Sequence, residues 1–472
     1  MGLVTPVPAV PVEELGRVHF VGIGGAGMSG IARILLARGV AVSGSDRAGS
    51  PQLDELAGLG ATVYVGHAQE HVAGVDTVIT TPSAIGDRNV EIVAARRLGI
   101  PVLPRAAALG SIMSGKRGIA VSGTHGKTTI SSMLTTVLRH AGADPSYVIG
   151  GILAETGLGA DEGGGEWFVA EADESDGSFL MLSPEAAVVT YIEAEHLDNY
   201  KDLAEIEATF AAFAGKIREG GLLVAGRDDP GAAALAAAAA SLPLRVRTYG
   251  ESPEADYRVT GVSVTGMTTR LTVTAPGADP RGLTVRVPGR HYALNATAAF
   301  ATAVELGVPP RTVIEGLEAY RGAQRRMEPK GEADGVRVLD SYAHHPTELA
   351  ADLTAARDVA GGGRVIAVFQ PHLYSRTRFF AAQFGAALGL ADEALVLDIY
   401  AAREDPEPGV TGKLVADAVP GGRGRFLPDA ATVPEVIAGL AKPGDLVLTM
   451  GAGDVTAIGP LIVAALHARA GE

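Results

Sequence analysis

The stretch Gly118–Thr129, GIAVSGTHGKTT, constrains the fold more than any other part of the chain. An apolar run of strand length enters a turn with two glycines, then a lysine and two threonines. The residues that follow place Ile130, Met133, Leu134, Val137 and Leu138 on one helical face, and Gly142 supplies a stop. Strand, glycine turn and amphipathic helix form the unit that offers backbone N–H groups and a helix N-terminus to phosphate. The common phosphate loop, G-x-x-x-x-G-K-[ST], carries a glycine five residues before its Gly-Lys pair. Here Gly126, Lys127 and Thr128 are in place, but that earlier position is Val121 and the nearest preceding glycine is Gly123. The segment is a shortened phosphate loop or a bare Gly/Thr-rich turn, and its strand–helix context favours the loop.

A second glycine loop lies near the N-terminus. Gly22-Ile23-Gly24-Gly25-Ala26-Gly27 satisfies G-x-G-x-x-G between the strand-like RVHFVGIG and the helical GMSGIARILLARG. Asp46 ends the next apolar run, where a ribose-binding acid sits in dinucleotide enzymes. The motif indicates a nucleotide anion but is a weak sign of NAD, and a ligand-free strand–helix turn would look the same.

The rest of the chain repeats this alternation. Residues 17–113 form one βαβ series, a second begins near Ser114, and a third near 322 contains VRVLDSY, RVIAVFQPH, EALVLDIY and DLVLTMGAGD. Between about 257 and 288 the sequence instead alternates like a small antiparallel meander. The predicted class is α/β with three domains, 1–113, 114–321 and 322–472, in keeping with a length of 472 residues. The first and third read as Rossmann-like, and the second as P-loop ATPase-like with the extra small sheet.

A net charge of −15 argues against a nucleic-acid partner, and zero cysteines exclude disulfides, thiolate metal sites and a cysteine nucleophile. The opening MGLVTPVPAVPVEELG lacks the basic region of a signal peptide, and no apolar run is long enough to span a membrane. A cytoplasmic protein is expected. The alanine-rich 231–244 reads as an ordinary helix.

Acids and histidines gather at strand ends. Glu171, Asp173, Glu174 and Asp176 fall in EADESD, and His196 and Asp198 in EAEHLDNY. Singly, such acids are solvated loop residues; two acidic strand ends just after a phosphate loop suit a hard divalent cation. His344, His345, His372 and Arg376 fall in SYAHHPTE and FQPHLYSRTR. A lone histidine is more often structural, but this grouping suits an anion.

In order, GIGGAGMSGIA, GTHGKTT, EADESD, EAEHLDNY, GRHYALNA, DSYAHHPTE, FQPHLYSRTR and GAGD resemble the motifs of the Mur ligases over about residues 17–460. That family's phosphate loop is the short G-T-x-G-K-T-T form. The motif set is most like that of the members that add L-alanine to UDP-N-acetylmuramate, with a UDP-sugar at the first loop and ATP at the second. The resemblance implies that the sugar carboxylate attacks the γ-phosphate of ATP. Alanine then displaces phosphate from the acyl phosphate, giving an amide, ADP and phosphate.

Carried over by position, the resemblance assigns Gly123, Thr124, His125, Gly126, Lys127, Thr128, Thr129, His291, Asn295, Arg326 and Asp340 to ATP. Thr128, Glu174 and His196 would serve Mg²⁺ or Mn²⁺. Gly24, Gly25, Ala26, Asp46, His67 and Ser83 would line the UDP-sugar site, and Tyr342, His344, His372 and Arg376 the amino-acid site. Lys127, Glu174, His196 and His344 would carry the chemistry. The partners are then small molecules, and the chain a monomer or homodimer.

Two positions depart from the family pattern. The amino-acid motif ordinarily reads P-H-R-Y-[ST]-R, and Leu373 replaces its first arginine. Arg378 and Arg403 are candidate substitutes. Sister ligases carry a carbamylated lysine about where Ala211 stands, with Lys216 nearby, and no carbamate is assigned. Rival readings are a recycling ligase that joins a tripeptide to the same UDP-sugar, an NAD-dependent oxidoreductase and a non-catalytic UDP-sugar-binding regulator. The oxidoreductase leaves the second loop unexplained, and intact Lys127, Glu174 and His196 argue against the regulator.

Overall fold

The structure is a computed structural model that describes residues 3–81, 89–197, 199–402 and 404–471. Ser83, Asp198 and Arg403 lie outside the described residues.

The first block alternates strands and helices as its hydrophobic pattern predicts. Its elements are β1 (Val18–Val21), α1 (Ala26–Ala37), β2 (Val42–Asp46), α2 (Pro51–Gly58), β3 (Thr62–Val65), β4 (Thr77–Thr80), α3 (Val90–Arg97), β5 (Val102–Pro104) and α4 (Arg105–Met113). The strands form a wholly parallel sheet of order β3-β2-β1-β4-β5. The order reverses between β1 and β4, so the loop after β1 opens where α/β sheets take their ligands.

The second block continues with β6 (Arg117–Ser122), α5 (Lys127–His140), β7 (Ser146–Val148), β8 (Ala160–Asp161), β9 (Trp167–Glu171), β10 (Ala186–Val189), α6 (Leu203–Ala214), β11 (Leu222–Gly226), α7 (Pro230–Ala239) and β12 (Arg245–Gly250). Strand β6 pairs in parallel with β9 on one side and β10 on the other, which again puts a glycine loop at a switch point. The strands expected as a separate small sheet, β13 (Tyr257–Thr265), β14 (Thr268–Thr274) and β15 (Arg281–Val285), instead extend the same ten-stranded sheet, because β13 pairs in parallel with β12 and β14 and β15 follow beside it. Then come α8 (Arg290–Glu305) and α9 (Pro310–Ala319).

The third block holds β16 (Glu328–Ala333), β17 (Val336–Ser341), α10 (Pro346–Ala360), β18 (Val365–Phe369), α11 (Tyr374–Leu388), β19 (Glu393–Val396), α12 (Lys413–Asp417), β20 (Gly424–Phe426), α13 (Val433–Leu440), β21 (Leu446–Met450) and α14 (Ile458–Ala470). Its six-stranded sheet has the order β16-β17-β21-β18-β19-β20, parallel except for the β16–β17 pair.

Packing groups the chain into two compact units. One comprises Met1–Val259, Val273–Arg281 and Leu294–Tyr320; the other comprises Thr260–Thr272, Gly282–Ala293 and Arg321–Glu472. In the first unit, Phe20, Ile31 and Leu35 share one continuous core with Phe168, Val189 and Phe213. Helix α1 lies close to β8: a methyl group on Gly30 would fall 2.8 Å from the Ala160 side chain. The second unit has its own core, which includes Val338, Val368, Leu395, Ile437, Val447 and Ile462. Among the described residues no helix is long and apolar enough to cross a membrane.

Candidate active site

The shortened phosphate loop is built as its sequence predicts. Gly123 and Gly126 take φ values of 117° and 85°, which a side chain would resist, and Gly126 caps α5 with no side-chain partner. The first N–H groups of α5 therefore carry no cap from that residue. A methyl group on Gly126 would fall 2.7 Å from the Asn295 amide oxygen, so Asn295 borders the loop. The Thr124 hydroxyl accepts from the Glu193 N–H at 3.0 Å, and His125 Nε2 lies 2.9 Å from Glu193.

Lys127 folds across the mouth of this loop. Its ammonium donates to the Gly123 carbonyl at 2.7 Å and to Glu174 Oε1 at 2.7 Å. Burial works against its charge, but Glu174 and Glu171 outweigh burial and hold its pKa above the ordinary lysine value. Glu174 is only 3% exposed and also accepts from the Ser122 hydroxyl at 3.3 Å. The Thr128 hydroxyl donates to Glu171 Oε2 at 2.9 Å. His196 Nε2 lies 3.7 Å from Glu174 and 3.5 Å from Glu195. Burial opposes its charge, but the Glu174 contact prevails and raises its pKa.

The backbone that presents His196 is constrained. His196 has a φ of 55°, uncommon for a residue with a side chain. The turn is fastened to the neighbouring strand end by the Tyr200 hydroxyl on the Glu174 carbonyl and by the Asn199 amide on the Ser175 carbonyl at 3.0 Å. Lys127, Thr128, Glu174 and His196 thus converge as predicted, together with Glu171. Glu171 stood out only as one of four clustered acids, yet it is the acid that holds the Thr128 hydroxyl.

At the first glycine loop, the Gly24 N–H donates to Asp46 Oδ2 at 2.9 Å. Asp46 therefore braces the turn itself. Gly25 caps α1 without a side-chain partner. His67, just past β3, turns Nδ1 toward Ser45 Oγ at 2.9 Å and Glu91 Oε2 at 3.0 Å. Arg105, at the start of α4, pairs with Asp173 at 3.2 Å, and a methyl group on Gly27 would fall 2.9 Å from its guanidinium. Arg105 thus bridges the first loop and the acidic strand end of the second. Neither Glu91 nor Arg105 carried a motif that could have revealed it. His19 did carry a signal, a histidine inside the apolar strand RVHFVG, because such a residue requires a buried polar partner.

In the second unit, Tyr342, His344, His372 and Arg376 form a chain of contacts. Tyr342 and His344 meet edge to face at 5.2 Å, His344 and His372 follow at 6.2 Å, and Arg376 reaches His372 Nδ1 at 3.4 Å. The Arg326 guanidinium lies 5.4 Å above the Tyr342 ring, and Arg325, unmarked by any motif, lies 4.9 Å from it. Asp340 is fully buried, and its two oxygens accept from the Thr449 and Thr456 hydroxyls at 2.6 and 2.7 Å. Here it presents no oxygen to solvent and anchors Arg325 at 3.4 Å. His291 Nε2 lies 3.2 Å from Asp352.

Leu373 packs inward at 5% exposure with a φ of 70°, at the start of α11. Of its candidate substitutes, Arg378 is 64% exposed in its side chain and pairs with Glu407 at 3.5 Å.

Comparison with known proteins identifies the domain types. Residues 17–117 match the Mur ligase family catalytic domain, 121–303 the Mur ligase middle domain and 325–453 the Mur ligase glutamate ligase domain. A UDP-N-acetylmuramate–L-alanine ligase of Thermobifida fusca (strain YX) is 58% identical over 474 residues, with 99% of this chain and 100% of the relative covered. One from Kineococcus radiotolerans is 54% identical, with 97% of this chain and 98% of the relative covered. The crystal structure of UDP-N-acetylmuramate-alanine ligase from Thermotoga maritima superposes with a TM-score of 0.81 at 29% identity, covering 97% of this chain and 100% of that one. With all three domain types present in order around an intact phosphate loop, the chain belongs to the Mur ligase family.

Proposed function

We propose that this chain is an ATP-dependent ligase that joins L-alanine to the carboxylate of UDP-N-acetylmuramate, forming an amide, ADP and phosphate. The observation that carries the reading is the loop in which Lys127, Thr128, Glu171, Glu174 and His196 converge, in a chain similar over its whole length to ligases of that name. A carboxylate does not react with an amine at neutral pH. Phosphorylation turns its oxygen into a leaving group, and the protein contributes mainly position and charge.

Lys127 and the N–H groups at the start of α5 neutralise the β- and γ-phosphates, which lets an anionic carboxylate approach. Asn295, bordering Gly126, and His291 serve the nucleotide base. The donor set suits Mg²⁺: a hydroxyl and two carboxylates stand together, and the Lys127 ammonium already occupies Glu174 as a cation. Thr128, Glu174 and His196 would hold Mg²⁺, which would supply positive charge against the phosphates. Gly24, Gly25, Ala26, Asp46 and His67 form the UDP-sugar site. Tyr342, His344, His372 and Arg376 recognise alanine, with Arg376 on its carboxylate. We place the domain boundaries at 113/114 and 321/322 and the reaction in the cytoplasm.

Phosphate release with UDP-N-acetylmuramate against a panel of amino acids and the stem tripeptide tests the reading. L-Alanine should be the preferred acceptor, and preference for the tripeptide would replace this assignment with the recycling one.

A further inference from the structure

The N-terminal sheet buries a carboxylate that the reaction does not use. Glu91, in the first turn of α3, is 0% exposed. It accepts from the Ser45 hydroxyl at 2.6 Å and the Ala68 N–H at 3.3 Å. His67 Nδ1 faces one of its oxygens at 3.0 Å, and His71 Nδ1 faces the other at 2.7 Å. His19, also fully buried, brings Nε2 to 3.7 Å, where it finds no hydrogen-bond partner. Three histidines on three different segments therefore surround one acid.

An ionised carboxylate can only accept hydrogen bonds. The Nδ1 atoms of His67 and His71 must therefore carry their protons. The Ser45 hydroxyl has one proton, directed at Glu91, so it too offers His67 a lone pair. These contacts fix both the tautomer and the plane of the His67 ring. Nδ1 is turned inward, so the edge bearing Nε2 is left for the outside of a side chain that is 29% exposed. That edge lies just past β3, at the carboxyl end of the parallel sheet, beside β2, whose last residue Asp46 braces the glycine loop.

We infer that Glu91 is a positioning residue for UDP-sugar binding: it locks the His67 ring so that Nε2 meets a polar group of the nucleoside diphosphate sugar. The inference rests on the UDP-sugar site proposed above. A positioning acid of this kind is the protein counterpart of the groups that orient metal-bound histidines from behind. Glu91 touches no substrate, and its effect passes through His67.

Steady-state kinetics of Glu91→Gln, His67→Asn and the double variant test this. Glu91→Gln should raise the KM for UDP-N-acetylmuramate about tenfold, the lower end of the range for losing such an orienting partner, and leave kcat and the KM for ATP near wild type. His67→Asn should raise the same KM, and adding Glu91→Gln to it should cost little more. If the two effects multiply, Glu91 acts on the fold and not through His67, and the inference is overturned. If His67→Asn leaves that KM unchanged, the UDP-sugar placement of His67 fails instead. Should Glu91→Gln not fold, nitrogen NMR of the wild-type histidines decides the matter. His67 should carry its proton on Nδ1 throughout, with the UDP-sugar shifting Nε2 alone, and a proton on Nε2 only would refute the locked tautomer.

Discussion

Replacing Lys127 with methionine keeps most of the side-chain volume and removes the charge, with two separable consequences. The first is chemical. Losing one preorganised donor from the site of developing charge costs roughly 10²–10³ in rate, or about 3–4 kcal/mol. The second is structural. The Lys127 ammonium sits 2.7 Å from Glu174, which is 3% exposed and loses its nearest cation. Stranding one partner of a buried pair costs about 3–5 kcal/mol. That cost should appear as a lowered melting midpoint at neutral pH. Adding Glu174→Gln should remove most of the deficit. Calorimetry with UDP-N-acetylmuramate completes the assay, because that ligand is assigned to the first loop. A loss of UDP-sugar affinity comparable to the loss of rate would refute the two-site reading.

The remaining expectations are simpler to test. Arg376→Ala should raise the KM for alanine about 10- to 100-fold, the value of one charge-assisted hydrogen bond, with little change for ATP or the UDP-sugar; an unchanged alanine KM would displace the amino-acid site. Burial tends to raise the Glu91 carboxyl, but its contacts with His19, Ser45 and His71 bring it from 4.5 down to about 2. That depression contributes about 3 kcal/mol of stability, present above the ordinary carboxylate range and lost as pH falls toward 2. The melting midpoints of wild type and Glu91→Gln should therefore converge in acid, and a constant gap would show that Glu91 is not ionised in the fold. NAD should not compete with UDP-N-acetylmuramate in equilibrium binding, since Asp46 already spends one oxygen on the Gly24 N–H; tight competitive binding would reopen the oxidoreductase reading.

The parts of the molecule legible in the sequence are those in which local chemistry and function coincide. Gly123 and Gly126 are needed for backbone geometry and mark the loop, and the strand and helix beside them follow from hydrophobic period alone. The acids at the ends of β9 and β10 could be grouped because parallel strands deliver their carboxyl ends to one edge. What stayed hidden was pairing across distance. Glu91 reads as an ordinary polar residue on a helix, and only the fold brings it to His67, 24 positions away, and to Ser45, 46 positions away. Arg325 reads as a loop cation until β17 and β21 place Asp340 and the Gly451 carbonyl around it. Leu373 is the instructive case. Read as a missing charge, it called for a substitute arginine, but the described candidate, Arg378, faces Glu407. The structure shows a second property of the position, a φ of 70° at a buried side chain, a conformation that costs a non-glycine residue about 1–3 kcal/mol. That cost belongs to the backbone, so an arginine here would bear it as leucine does. The turn is held by the Leu373 N–H on the Tyr400 carbonyl at 3.0 Å and by the Thr377 hydroxyl on the Leu373 carbonyl at 2.7 Å. These bonds keep His372 stacked on Tyr400 and within reach of Arg376. The strained turn therefore aims His372 and Arg376 whatever residue occupies its centre, which is why the site can lose one charge and keep its shape.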